Sequence, residues 1–307
     1  MNELPPTARE VPEQLASIGH SMSPEDIAAT YEIYSKLHEN MRASDEVRIK
    51  PDIPYGEDDR QKLDLFLTEG DSTTCLLFVH GGGFIGGNRR LSDKSPFYGN
   101  VGRWGARAGF STAVMSYRLA PQHRWPAGID DVAAASNWLR REGPRHDLDM
   151  RNLVLVGHSA GASHVADYIA ARASVGDLEP VSGAILISGM YQFDRLASRQ
   201  TASIEAYYGE DRDLWRQRSS IEGLLKTQVP LLLATAELDP NVFPEQAEIV
   251  IDRFRLAGVE LRSAVVPMHT HLSEILHLGS DDKSLESLIY EFLECGKAAR
   301  GNLGEAG

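Results

Sequence analysis

Ten residues, Leu153-Val154-Leu155-Val156-Gly157-His158-Ser159-Ala160-Gly161-Ala162, constrain this chain more than any others. The four apolar, β-prone residues at the start read as a buried strand. They run into Gly-x-Ser-x-Gly, and a small-residue, helix-competent segment from Ala160 to Ala173 follows. A serine on a sharp strand-to-helix turn has a strained backbone and close neighbours, which is the crowding that Gly157 and Gly161 relieve. Such a turn lifts Ser159 Oγ clear of the sheet, and the helix N-terminus behind it favours developing negative charge. Gly-x-Ser-x-Gly alone also fits an ordinary strand-to-helix turn, so the rest of the chain has to decide.

The surrounding pattern supplies a sheet for that strand to join. Residues 46–53 and 61–67 read as strands, with Leu63, Leu65 and Leu67 alternating as on a half-buried antiparallel face. Cys75-Leu76-Leu77-Phe78-Val79 suits a central strand, and further strands are expected at 111–117, 184–188, 230–236 and 261–266. Helical patterns lie between them at 129–141, 244–257 and 283–295. Strands alternating with helices predict an α/β chain with a mostly parallel central sheet covered on both faces. Upstream, residues 1–22 are polar and without period, and are expected to be loosely attached. Ser23-Pro24-Glu25-Asp26 reads as a helix start, and Ile27, Tyr31, Tyr34, Leu37 and Met41 follow at helical spacing. The segment at about 190–225 is rich in Arg, Tyr and Trp and reads as an insertion above the sheet.

Composition removes several partners. Lys+Arg 31 against Asp+Glu 44 gives a formal charge of -13, which disfavours nucleic acid and anionic membrane surfaces. Cys75 and Cys295 match no metal or redox spacing. The start of the chain lacks a basic and an apolar leader region, and no apolar run approaches the roughly 18 residues of a membrane span. A cytoplasmic location is the expectation, with a small molecule as partner and a homodimer left open.

A serine hydroxyl needs a base to take its proton and donors to receive an oxyanion. His80-Gly81-Gly82-Gly83-Phe84 follows the strand ending at Val79, and its glycines can turn backbone N–H groups toward a substrate oxygen. With the N–H of Ala160, those of Gly82 and Gly83 would form an oxyanion hole. Phosphate-binding loops usually add Lys-Ser/Thr or a third spaced glycine, and this stretch has neither. His269-x-His271 could hold a metal, but no third ligand stands at a helpful spacing, so no metal is expected. For the base, His269, His271 and His277 all follow the strand at 261–266.

Taken in order, His80-Gly81-Gly82-Gly83, Tyr117-Arg118-Leu119-Ala120-Pro121, Trp125-Pro126-Ala127 and Gly157-His158-Ser159-Ala160-Gly161 resemble the hormone-sensitive-lipase-type carboxylesterases of the α/β-hydrolase superfamily. That group grades into the kynurenine formamidases (arylformamidases). Tyr55-Gly56 and Leu63-Asp64-Leu65 are similar too, and the likeness spans roughly 45–295. It implies the α/β-hydrolase fold, a catalytic domain over 45–300, and a cap drawn from residues 1–44 and about 190–225. It also implies an acid after the strand at 230–236, where Glu237-Leu238-Asp239-Pro240 stands, with Asp239 preferred to Glu237. Val242-Phe243 occupies the region where the esterases often carry a second Asp. Asp130 and Asp131 take the place of an acid that is structural in the family. His271-Leu272-Ser273 resembles the His-x-Ser element that carries the base, which favours His271 over His269 and His277.

The sequence therefore predicts a serine hydrolase with Ser159 as nucleophile, His271 as base, Asp239 as acid and the amides of Gly82, Gly83 and Ala160 as oxyanion donors. Phe84, His158, Tyr207, Tyr208 and Trp215 are the candidate pocket residues. The expected substrate is a small carboxylic ester, with an aryl formamide or related amide as the alternative. A receptor lacking catalysis is the alternative of another class. The chemistry calls for no cofactor.

Overall fold

The strands in chain order are β1 (Arg48–Pro54), β2 (Lys62–Leu67), β3 (Thr74–Val79), β4 (Ser111–Met115), β5 (Asn152–His158), β6 (Gly183–Ile187), β7 (Leu231–Leu238) and β8 (Arg262–Thr270). In this computed structural model, which describes residues 10–42, 46–92, 94–175, 181–194 and 202–304, they form one eight-stranded sheet, β1-β2-β4-β3-β5-β6-β7-β8. β2 is antiparallel to both β1 and β4, and every other pairing is parallel. The sequence-level expectation of a mostly parallel α/β sheet is met, with strand ends within a few residues of those expected.

The helices are α1 (Glu10–Ile18), α2 (Pro24–Arg42), α3 (Gly99–Arg107), α4 (Ala127–Glu142), α5 (Ala160–Val175), α6 (Ala202–Tyr208), α7 (Arg212–Gln217), α8 (Ile221–Leu224), α9 (Val242–Ala257), α10 (Ser273–Leu276) and α11 (Ser284–Gly304). They pack on the two sheet faces according to the period-2 alternation of the strands. Leu77 and Leu155 point to one face and meet Val132, Val165 and Phe254 of α4, α5 and α9. Phe78, Val156 and Ile185 point to the other and meet Trp104 of α3, Ile289 and Phe292 of α11, and Leu15 and Tyr34 from the N-terminal helices. Because both faces are covered, β3 reads as a continuous apolar run and all of its residues are buried.

Two helices depart from the expectation. Residues 10–18 lie in the segment expected to be loosely attached and without period, yet they form α1, which is anchored by the fully buried Leu15. α3 carries Gly99, Gly102 and Gly105, so its sequence resembles a loop. A Cβ on Gly102 would sit 2.2 Å from the Phe66 ring of β2, which explains why a poor helix former stands there. The start of α2 is as expected, with the Asp26 N–H donating to Ser23 Oγ at 3.2 Å. Of the proposed cap, residues 1–9, 43–44 and 195–201 lie outside the described residues. No helix among the described residues is long and apolar enough to cross a membrane.

Candidate active site

Ser159 stands at the turn between β5 and α5 with φ 55, a left-handed conformation that non-glycine residues rarely adopt. Its N–H donates to Ile187 O at 2.8 Å, which ties the turn to β6. The crowding read from the sequence is real: a Cβ on Gly161 would lie 2.1 Å from Val79 O, and one on Gly157 would lie 2.5 Å from Gly161 O. The elbow is therefore wedged against the end of β3 and closed on itself. Ser159 Oγ is left at the carboxyl ends of the parallel strands, where open α/β sheets place their ligands.

Asp239 and His271 reach the same point from the ends of β7 and β8. His271 Nδ1–H donates to Asp239 Oδ1 at 2.7 Å, and His271 Nε2 lies 2.9 Å from Ser159 Oγ. Asp239 Oδ2 accepts from Ser188 Oγ at 2.6 Å and from the Ala236 N–H at 2.9 Å, so a fully paired carboxylate is held in one orientation. Phe243 stacks on the His271 ring with centroids 4.0 Å apart. The aromatic thus stands where the resemblance would place a second Asp, and it fixes the His271 ring by packing. Glu237, the alternative acid, faces away and accepts from the Met268 N–H at 2.6 Å.

The other two candidate bases are engaged elsewhere. His269 lies between Ser273 Oγ at 2.9 Å and Asp282 Oδ2 at 3.2 Å. His277 Nδ1–H donates to Ser273 O at 2.9 Å, and burial pushes its pKa down to about 3. His269, His277 and Asp282 hold ligand-type atoms within 4.8 Å of one another, as do His158, His271 and Glu274. Neither group presents convergent lone pairs. The His269 and His277 rings are stacked 4.0 Å apart with 20° between planes, so their in-plane lone pairs run side by side. In the second group both His271 nitrogens are committed, and His158 Nε2 carries a proton because it faces the His271 carbonyl at 2.8 Å.

The glycine loop after β3 lies against the elbow. Gly82 has φ 132 and Gly83 has φ 59, values that a side chain would strain. A Cβ on Gly82 would also meet Gly86 O at 2.2 Å, whose residue donates its N–H back to Gly82 O at 2.9 Å. His80 braces the loop from beneath. It is fully buried, stacks on Tyr117 at 4.4 Å and gives its Nδ1–H to Gly81 O at 2.6 Å. Burial pushes its pKa down to about 3, so the brace stays neutral. Ala160, the first residue of α5, has no preceding turn to accept its N–H.

Above Ser159 opens a cavity of about 1050 Å³ lined by Gly82, Gly83, Ala160, Ser159 and His271. Its remaining wall is mostly apolar, with Met22, Ile27 and Tyr31 from the N-terminal segment and Leu91, Tyr98, Met190, Val242, Phe243 and Leu272 from the hydrolase-like body. His20 belongs to this wall too, and its Nδ1–H donates to Asp239 O at 2.7 Å. Of the five pocket candidates read from the sequence, Phe84 and His158 border the cavity. Tyr207, Tyr208 and Trp215 are corrected: they are fully buried in an aromatic cluster behind Phe84. Tyr207 stacks on Phe84 at 5.0 Å and accepts from the Gly128 N–H. Tyr208 donates to Asp167 Oδ2 at 2.9 Å, and Trp215 donates to Gly209 O at 2.7 Å. Each polar tip finds a partner inside, which draws these rings into the interior rather than onto the wall. The insertion reaches the cavity instead through Ser203. Asp131 braces the fold as expected of it, accepting from the Arg118 and Gln61 side chains.

A family model described as alpha/beta hydrolase fold matches residues 76–274. Among curated proteins, the chain is similar to Esterase LipC of Mycobacterium tuberculosis, 26% identical over 223 residues, 66% of this chain and 54% of that protein. It is similar to Ethyl acetate hydrolase of Pseudomonas putida, 28% identical over 224 residues, 67% of each. It is also 30% identical over 199 residues, 59% of this chain, to the tuliposide A-converting enzyme b3 of Tulipa gesneriana, of which it spans half. Against these relatives the match therefore covers about half to two thirds of their length. Among solved structures, esterase B from Lactobacillus rhamnosis superposes with a TM-score of 0.72 at 19% identity, over 97% of this chain and 98% of that one. A hyperthermophilic esterase from Pyrobaculum calidifontis does so with a TM-score of 0.68 at 20% identity, over 96% and 99%. At such identities these two likenesses speak for the fold alone. With nearly two thirds of its length inside the family match and the mostly parallel sheet, elbow and strand-end site in place, the chain belongs to the alpha/beta hydrolase fold family.

Proposed function

We propose that this chain hydrolyses carboxylic esters through an acyl-enzyme on Ser159. The observation that carries this reading is the continuous line Ser159 Oγ–His271 Nε2 at 2.9 Å and His271 Nδ1–Asp239 Oδ1 at 2.7 Å. Two relatives, an esterase and an ethyl acetate hydrolase, point the same way. Ser159 Oγ attacks the carbonyl carbon while His271 Nε2 takes its proton. Asp239 keeps Nδ1 protonated, so Nε2 is the free lone pair, and it stabilises the imidazolium that forms. The Gly82, Gly83 and Ala160 amides receive the oxyanion. His271 then returns the proton to the departing alcohol, and a water activated by the same ring releases the acid.

The cavity wall suggests what part of the substrate the protein grips. Among the described residues it carries no Lys or Arg, and its apolar side chains suit an uncharged acyl or alkyl group. In this reading the N-terminal segment and the insertion form a cap over the site and set chain-length preference. The test is hydrolysis of p-nitrophenyl acyl esters of rising length, with N-formylkynurenine alongside. Turnover of the esters and a loss of as much as about 10⁶ in kcat on Ser159→Ala are expected. A folded Ser159→Ala protein that keeps a tenth of the activity would overturn the mechanism. Preference for N-formylkynurenine over every ester would move the substrate class from ester to formamide.

A further inference from the structure

Beneath the catalytic line lies a second carboxyl that the mechanism above does not use. Glu274, on α10, is completely buried, and neither of its carboxyl oxygens has a hydrogen-bond partner among the described residues. A buried polar group without partners destabilises a fold, so its presence calls for a reason. Its surroundings supply one. Glu274 Oε1 is 4.0 Å from His271 Nδ1 and 3.4 Å from His158 Nε2. His158 Nε2–H in turn donates to the His271 carbonyl at 2.8 Å. The acid thus faces the base twice, at the ring's Nδ1 edge and, through His158, at its backbone.

The hydroxyl that comes nearest to Glu274, that of Ser188, lies between the carboxyls of Glu274 and Asp239 and donates to Asp239 Oδ2. The titratable neighbours are His158 at the end of β5, Asp239 beyond β7, Tyr191 beyond β6, and His271 itself. Burial drives His158 well below and Tyr191 above their usual ranges, so both are neutral near pH 7. Burial first, and the nearby Asp239 charge second, push the Glu274 carboxyl well above the usual range. Two adjacent carboxyls sharing one negative charge is the arrangement expected when one is paired with the histidine and the other waits protonated.

We propose that Glu274 is a positioning residue for the base, a reserve carboxyl that steadies the His271 turn through His158 and takes over the Nδ1–H contact when Asp239 cannot supply it. This rests on the hydrolase reading. With Asp239 replaced, the lesser of the two influences that keep Glu274 protonated is removed while burial remains, so Glu274 ionises at lower pH than in the wild type, and a side-chain adjustment of about an ångström brings Oε1 from 4.0 Å to hydrogen-bond range of Nδ1.

The experiment is a double-mutant cycle on kcat/KM for p-nitrophenyl acetate across pH, with the wild type, Glu274→Gln, Asp239→Asn and the double variant, each checked for folding by circular dichroism. Asp239→Ala replaces Asp239→Asn should the latter not fold. In a triad with no reserve acid, Asp→Asn lowers turnover by about 10⁴. Here Asp239→Asn is expected to lose only about 10², and the double variant about 10⁴. Glu274→Gln alone is expected to lose about threefold, a non-additivity within the range of neighbours that share a partner. The Asp239→Asn rate rises with pH as Glu274 ionises, and that rise is absent from the double variant. A purely structural Glu274 would give the same loss in both backgrounds, with coincident pH profiles, and that result overturns the proposal while leaving Ser159-dependent hydrolysis intact. A wild type that neither turns over esters nor reacts at Ser159 with a fluorophosphonate removes the hydrolase reading, and this proposal with it.

Discussion

The floor and the wall of the cavity are held by different means. On the floor, Ser159, Asp239 and His271 stand at the ends of β5, β7 and β8, and each is fixed by bonds to neighbouring strands or turns: Ser159 N–H to Ile187 O, Asp239 to Ala236 and Ser188, His271 to Asp239. The wall is drawn from distant parts of the chain, from Met22 and Ile27 to Met190 and Leu272, and its contribution is apolar surface. The glycine loop belongs with the floor, because His80 and Tyr117 brace it from inside. Geometry that must be kept to a fraction of an ångström is anchored on the sheet, while shape complementarity is left to segments whose residues can change without disturbing it.

If that division is right, substitutions on the floor have much larger effects than those on the wall. The largest expected loss is that of His271→Ala, about 10⁶ in kcat, with no second imidazole placed to replace it. His269→Ala, two residues away on β8, should keep at least a tenth of wild-type kcat, because its partners are Ser273 and Asp282. Steady-state kinetics on the two folded variants decides the ranking, and the reverse order would break the assignment of the base. Gly83→Val comes next. With φ 59 there, a β-branched residue displaces the amide, and kcat at saturating substrate should fall by about 10² to 10³. Near-normal turnover would mean that the loop has another task.

How much was legible in the sequence follows the same division. The elbow could be read because strand, tight turn and helix are contiguous and its crowding demands glycine at two fixed positions. The acid after β7 and the choice of His271 over His269 and His277 rested on the resemblance, since residue pattern alone only puts Asp239, Glu237 and three histidines after expected strands. Side-chain direction was not legible. Tyr207, Tyr208 and Trp215 look like wall residues by type, yet hydrogen-bond partners in the interior draw them inward. Glu274 looks like an ordinary acid at the start of a helix, and only the packing of α10 against β8, α2 and α3 shows that it is buried beside His158 and His271. α1 was missed because one buried residue, Leu15, anchors a helix that is otherwise partly or fully exposed.

Smaller effects sharpen the comparison from the other side. Ile27→Trp fills part of the wall above Ser159 and should raise KM for long acyl esters by about tenfold while kcat for the acetate changes little. Equal effects on acetate and long esters would show that α2 only packs on the body. His164→Leu tests the backing shared by the loop and the insertion, where the ring contacts Phe84, Tyr117 and Tyr207 and neither nitrogen has a partner among the described residues. Burial lowers its pKa from 6.5 to about 3. Between these values the unfolded chain binds a proton that the folded chain does not. The stability this residue allows is therefore complete above pH 6.5 and is lost as pH falls toward 3. The drop in Tm between pH 7.5 and pH 5 should shrink by about 2 °C in the leucine variant, measured by scanning calorimetry. An unchanged drop would place the acid sensitivity in the other histidines whose pKa burial lowers, His38, His80, His158 and His277.

The most direct test of the central claim is the intact mass of the protein after reaction with a fluorophosphonate, read for the wild type and for His271→Ala. The account predicts one adduct per chain in the wild type, located on Ser159 by peptide mapping, and labelling slowed by several orders of magnitude without the histidine. A wild-type protein that stays unlabelled, or one labelled at another residue, contradicts it.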